Sequence, residues 1–173
     1  IVANQVTREV PEMSESSQTG NSVLRVMFVC TGNTCRSPMA EVMFRRLSSE
    51  VLGCQESELR EHGVDVFSAG IAAADHDPDN GEAIHVISQR GLDLTGHLSQ
   101  PVQNHMLEQS SLVLAMTSRH RDVLSSARPD LAEKIRLVSR NGHDISDPFG
   151  MGTEAYEQCA QELDSHLRSW VQE

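Results

Sequence analysis

The chain lacks any excess of positive charge: 14 lysines and arginines stand against 25 aspartates and glutamates, a net charge of −11 over 173 residues. A surface this acidic argues against nucleic acid or an anionic membrane as the main partner. Long apolar runs are missing too. No stretch approaches the roughly 20 residues of a membrane-spanning helix, and there is no secretory apolar core. Cysteine is sparse, and its positions (30, 35, 54 and 159) form neither a disulfide framework nor a paired zinc-ligand spacing. The histidines follow no metal-ligating pattern, so neither a metal nor another cofactor is expected. A reducing cytoplasm is the expected location.

What is present suits a single domain with a sizeable core. Residues 1–22 are polar and start at Ile1 rather than methionine, and Ser14 to Ser22 reads as a flexible linker. The expectation there is a disordered linker or the tail of a preceding domain: the chain is either trimmed or the C-terminal part of a longer, fused one with Ile1–Val10 as that tail. The domain proper is expected over residues 23–173.

Its organising stretch is Val29-Cys30-Thr31-Gly32-Asn33-Thr34-Cys35-Arg36-Ser37-Pro38. An apolar strand, Leu24 to Val29, ends at a cysteine, and a loop of small polar residues leads into a helical pattern. In so tight a loop successive backbone N–H groups point inward, and Gly32 permits a crowded turn. Ser37 and Pro38 suit the N-cap and first turn of the following helix, whose positive end then faces the loop. Together these make a cup for a tetrahedral dianion with a sulfur at its base.

Beyond the cup, Ala40, Met43, Phe44, Leu47 and Val51 share one helical face, and Gly53 ends that helix. Val64–Ala69 reads as a second strand. Asp79 and Glu82 are placed for a capping box opening a helix that carries Ala83, Ile84 and Ile87. Pro101 is expected to open a short helix bearing Val102, His105 and Met106. Ser111–Met116 is a third strand, after which Thr117 caps a helix turning Val123 and Leu124 inward. Ile135–Val138 makes a fourth strand, Ser139–Gly152 a loop, and Tyr156, Cys159, Ala160, Leu163, Leu167, Trp170 and Val171 an amphipathic last helix. His85, His105, His120, His143 and His166 read as solvated. Strands alternating with helices predict an α/β three-layer sandwich around a four-stranded parallel sheet, with ligands bound beyond the carboxyl ends of the strands.

Phosphoryl transfer through a thiolate needs a nucleophile, charge stabilisation and a proton donor for the leaving group. Cys30 fits the nucleophile. Arg36 can chelate two phosphoryl oxygens, which lysine cannot. The backbone amides of Thr31, Gly32, Asn33, Thr34, Cys35 and Arg36 line the cup, and Ser37 can hydrogen-bond the sulfur. Asp147-Pro148 lies after the fourth strand, where proline biases Asp147 toward an extended backbone. Asp147 is therefore the candidate general acid, and base toward water in the second step.

The Cys-x5-Arg-Ser loop and the Asp-Pro pair resemble the low-molecular-weight cysteine phosphatases. The string from Cys30 to Glu41, Leu112–Thr117 and Asp147–Gly150 look like the bacterial protein arginine phosphatases within that family. The resemblance runs from about Leu24 to the end. It implies the flavodoxin-like sandwich, a phosphocysteine intermediate, phosphorylated proteins as partners, and Asn33, Ser68 and His97 as a bracing network. It implies that Thr34 selects substrate, since tyrosine-directed relatives carry an apolar residue there. Phe149 offers a ring on which a guanidinium can stack. Cys35 is a candidate resolving thiol for an oxidised Cys30. Phosphoarginine is the favoured substrate and phosphotyrosine the close alternative, because Gln100, the acidic Asp75–Asp79 rim and Gly150-Met151-Gly152 depart from the usual pattern. An arsenate reductase needs a further cysteine pair in a region where this chain has none between Cys54 and Cys159. A non-catalytic phosphate-binding module would need only the loop and Arg36, not Asp147.

Overall fold

A computed structural model of the chain describes residues 22–173, so the expected linker and preceding tail lie outside the described residues save for Ser22. Four strands form one sheet in the order β2-β1-β3-β4. They are β1 (Leu24–Cys30), β2 (Val64–Gly70), β3 (Leu112–Ala115) and β4 (Ile135–Leu137), all parallel. Five α-helices connect and cover them: α1 (Arg36–Leu52), α2 (Gly81–Gln89), α3 (Asn104–Gln109), α4 (Ser118–Ala127) and α5 (Thr153–Trp170).

Alternating side chains of β1 divide the core. Val26, Phe28 and Cys30 face α1, α2 and α5, where Phe28 meets Phe44 edge-on with centroids 5.5 Å apart. Met27 and Val29 face the opposite layer with Leu107 of α3 and Leu124 of α4. The expected three-layer sandwich is therefore the observed one. Because β2 and β3 flank β1 on opposite sides, the chain reverses direction across the sheet there. That switch point opens a crevice at the carboxyl ends of β1 and β3.

Several local expectations are corrected. The N-cap of α1 is Cys35, with Ser37 already inside the helix and its hydroxyl turned to Cys30 instead of capping. Val51, expected on the buried face, is exposed, as is Val123 of α4. Asn80, not Asp79, caps α2, accepting from the Glu82 amide at 2.9 Å, while the Asp79 carboxylate is drawn inside to His97. Pro101 starts no helix. It bridges Gly70 as a strand-like residue, and α3 begins three residues later at Asn104. Here the amide of Val102 pairs with the Gly70 carbonyl (2.9 Å), a tertiary bond that overrides the local helical preference.

Gly53 ends α1 in the left-handed region, its amide returning to the Ser49 carbonyl. At the other edge of the sheet, Trp170 donates its indole N–H to the Val138 carbonyl at 2.8 Å and carries the Arg140 guanidinium on its ring at 4.1 Å. Both contacts fix the end of α5 to the segment that leads out of β4 toward Asp147.

Candidate active site

The loop between β1 and α1 is held from outside by its own carbonyls. Ile71 and Ala72 amides donate to the carbonyls of Cys30 and Thr31 (both 3.0 Å), and Asn80 N–H donates to that of Thr34 (2.9 Å). With these carbonyls engaged outward, the loop amides are free to face the cup. The packing leaves no room for a side chain at Gly70, paired with Cys30 across the sheet. A Cβ there would sit 2.4 Å from the Thr31 carbonyl oxygen.

Asn33 is the hinge of the loop. Its φ of 56° lies in the left-handed region, which asparagine tolerates better than other side-chain-bearing residues. Fully buried, it spends its whole amide group on bracing. Nδ2 donates to Ser37 Oγ and Ser68 Oγ (both 2.9 Å), and Oδ1 accepts from the Gln100 amide at 3.0 Å. Ser68 in turn donates to Glu41 Oε2 (2.6 Å) and contacts His97 Nε2 (3.3 Å), whose Nδ1 donates to Asp79 Oδ1 (2.7 Å). Burial raises the Asp79 carboxyl above its ordinary range, against the lowering effect of the His97 hydrogen bond. The three residues expected to form a network are thus contiguous.

The sulfur of Cys30 receives two contacts. Asn33 N–H points at it from 3.3 Å, and Ser37 Oγ lies 2.9 Å away. Since Ser37 Oγ already accepts from Asn33, its own proton is left for the sulfur, the arrangement a thiolate requires. Arg36, buried, donates through Nη1 to the Ile145 carbonyl (2.9 Å), and its Nη2 lies 3.2 Å from Asp147 Oδ2. The loop carrying Asp147 is anchored at its start. The amides of Val138 and Ile145 donate to the carbonyls of Ala115 and Met116, and Asp144 accepts from both Ser118 N–H and Oγ–H (2.7 and 2.9 Å).

Cys30, Thr31, Gly32, Thr34, Cys35 and Arg36 line one side of a cleft of about 180 Å³, and Asp147 and Phe149 line the other. Phe149 is 68 % exposed at its mouth. Of the residues singled out in the sequence for the cup, the proton donor and the specificity wall, all but Asn33 and Ser37 line this cleft; those two are fully buried, bonded to each other and, through Asn33, to Ser68, with His97 next in line. Cys35 is buried, and its Sγ lies 3.4 Å from the Tyr156 hydroxyl. Burial pushes its thiol up, partly offset by that hydrogen bond. All four cysteines are free.

The sequence reading missed His120, which is buried rather than solvated and contacts Thr31 Oγ1 through Nε2 at 2.8 Å. The available signal was its place three residues after the Thr117 cap, on the first turn of the helix leaving β3. Glu41, Asp79, Gln100 and Tyr156 were missed as partners of the site.

The first strand of the parallel sheet thus delivers a cysteine into a tight loop of small polar residues, beside an arginine–aspartate pair. The family model described as low molecular weight phosphotyrosine protein phosphatase matches residues 25–173. A curated protein-arginine-phosphatase of Bacillus subtilis is 33% identical over 147 residues, 83% of this chain and 91% of its own length. The low molecular weight protein tyrosine phosphatase of T. tengcongensis superposes with a TM-score of 0.76 at 35% identity, covering 86% of this chain and 98% of its own. A YwlE arginine phosphatase mutant with a phosphorylated active-site serine gives a TM-score of 0.76 at 32% identity, over 86% of this chain and 94% of its own. The chain belongs to the low molecular weight phosphatase family.

Proposed function

We propose that this phosphatase hydrolyses phosphoarginine on proteins through a phosphocysteine intermediate, with phosphotyrosine as the second reading. The observation that carries it is the single cleft bringing Cys30, Arg36 and Asp147 together under a threonine wall. The Cys30 thiolate attacks phosphorus, and the P–N bond breaks as Asp147 gives its proton to the departing guanidino nitrogen. Arg36 and the loop amides take up the charge spreading over the phosphoryl oxygens. Asp147, now a carboxylate, removes a proton from water, which attacks phosphorus and breaks the P–S bond. Inorganic phosphate leaves and the thiolate is restored.

The arginine reading is supported by the Bacillus subtilis relative and by the chemistry of Thr34 and Phe149. A polar, branched wall narrows the cup, and an exposed ring suits stacking by a planar cation. The phosphoserine carried by the YwlE mutant supports a covalent phosphoenzyme. Phosphotyrosine is favoured by a different observation, the tyrosine-phosphatase title of the T. tengcongensis neighbour. Cys35, placed next to Arg36 beneath the loop, is assigned as resolving thiol. A Cys30 sulfenic acid formed by a peroxide would condense with it to a disulfide, releasing water. A cytoplasmic location follows from the need for a reduced Cys30.

The test is a comparison of kcat/KM on one protein phosphorylated either on arginine or on tyrosine. At least a tenfold preference for phosphoarginine is expected; a preference for phosphotyrosine would overturn the assignment.

A further inference from the structure

His120 has no part in the chemistry just described, yet it is built into the site. Only 3% of it is exposed, its ring sits on the first turn of α4, and its Nε2 lies 2.8 Å from Thr31 Oγ1. Its backbone N–H is fixed by the Thr117 cap. Its other ring nitrogen, Nδ1, is buried without a hydrogen-bond partner.

That orphan decides the tautomer. A neutral imidazole has one N–H. If Nδ1 carried the proton, the fold would bury an unpaired donor, which is rarer than a bare acceptor. The proton therefore belongs on Nε2, and His120 donates to Thr31 Oγ1. Burial first, then the nearby Arg36 charge, pushes the imidazole down to about 4, opposed by Asp144 and Asp147, so the neutral form prevails at physiological pH. Thr31, exposed and lining the cleft, has accepted one hydrogen bond and keeps its own O–H proton.

We propose that His120 is a positioning residue that turns the Thr31 hydroxyl into an additional hydrogen-bond donor for the phosphoryl group. The relay runs His120 Nε2–H to Thr31 Oγ, and Thr31 O–H to a phosphoryl oxygen. It braces the phosphate loop on the side facing β3, away from the Asn33 network. It rests on the phosphatase reading of the cleft but not on which phosphorylated residue is the substrate.

The experiment is calorimetric titration of inorganic phosphate into the whole chain and into Thr31→Val, Thr31→Ser, His120→Gln, His120→Phe and the Thr31→Val/His120→Phe double variant. Thr31→Val and His120→Phe should each weaken phosphate about tenfold, the scale of one hydrogen bond to a charged group. The double variant should be no weaker than Thr31→Val, whereas Thr31→Ser and His120→Gln, which keep a hydroxyl and an N–H in place, should bind nearly as the wild type does. Multiplying losses in the double variant, or unchanged affinity in Thr31→Val, would overturn the relay. Heteronuclear NMR of the wild-type imidazole provides a readout that does not depend on any variant folding. A proton on Nε2 is expected, and one on Nδ1 would contradict the proposal. A wild-type chain that binds no phosphate would overturn the phosphatase reading itself, an outcome distinct from a wrong tautomer.

Discussion

Arg36 and Asp147 form an ion pair across the cleft at 3.2 Å, the guanidinium almost wholly buried and the carboxylate more than half exposed. The proposed anion clamp and the proposed proton donor thus satisfy one another before substrate arrives. In the proposed mechanism an incoming phosphoryl dianion would compete for Arg36 and free Asp147 to meet the leaving group. Asp147→Asn should lower kcat on phosphoarginine by about 10²–10⁴-fold, the usual worth of general acid catalysis. Phosphate affinity should hold or rise, because Arg36 loses its competitor. Steady-state kinetics beside phosphate titration checks both, and a joint loss of turnover and affinity would show that Asp147 serves only to hold Arg36.

Thr34 forms part of the cleft wall, where its hydroxyl sits 3.8 Å from Cys35 Sγ. Thr34→Ile replaces a polar wall by a bulkier aliphatic one. The ratio of kcat/KM for phosphoarginine over phosphotyrosine should fall by at least tenfold, about 1.4 kcal/mol of differential transition-state binding. Equal losses on both substrates would remove Thr34 as the selector.

The loop is strained at Asn33 and held there by three hydrogen bonds to Ser37, Ser68 and Gln100. Asn33→Ala leaves those partners unpaired and puts an alanine in the left-handed region, costing about 2–4 kcal/mol. Asn33→Gly removes the conformational part and should cost less. Thermal denaturation of the two variants measures the difference, and an alanine variant as stable as the glycine variant would mean that the backbone carries no strain.

His120 also makes stability depend on pH. Its folded value of about 4 lies below the ordinary 6.5, so the unfolded chain binds the extra proton first. Stability from this group is complete above pH 6.5 and is lost as pH falls toward 4. The loss is at most about 1.4 kcal/mol for each unit of difference in pKa. Urea titrations of the wild type and His120→Gln across that range should show a shallower pH dependence in the variant. Parallel curves would mean that His120 takes up its proton as readily in the folded chain as in the unfolded one.

The cup was legible because its chemistry is local. A strand, a cysteine, small polar residues, an arginine and a helix start lie within one stretch, and the order of strands and helices placed it at the carboxyl edge of the sheet. Asp147 was legible from its proline and its position after the fourth strand. What stayed hidden depends on contacts between distant segments. Gly70 merely follows the expected second strand, and only the clash of a notional Cβ with the Thr31 carbonyl shows why it must be glycine. Asp79 looked like a helix cap because cap chemistry is local, but a buried carboxylate beside His97 won over that choice. Pro101 misled for the same reason, its neighbour's amide being claimed by Gly70. His120 reads as solvated because its place in the first turn after the Thr117 cap, the one signal it gives, does not record that Thr31 reaches it.

In the proposed reaction the phosphoryl group passes through Cys30. The most direct measurement is rapid acid quenching of Asp147→Ala during turnover of dinitrophenyl phosphate, whose phenolate departs without needing a proton, followed by mass spectrometry of the peptide that contains Cys30. The loss of Asp147 slows attack by water, so a phosphoryl group on Cys30 should accumulate, and Cys30→Ala should neither carry it nor turn over. Turnover retained by Cys30→Ala would contradict the account.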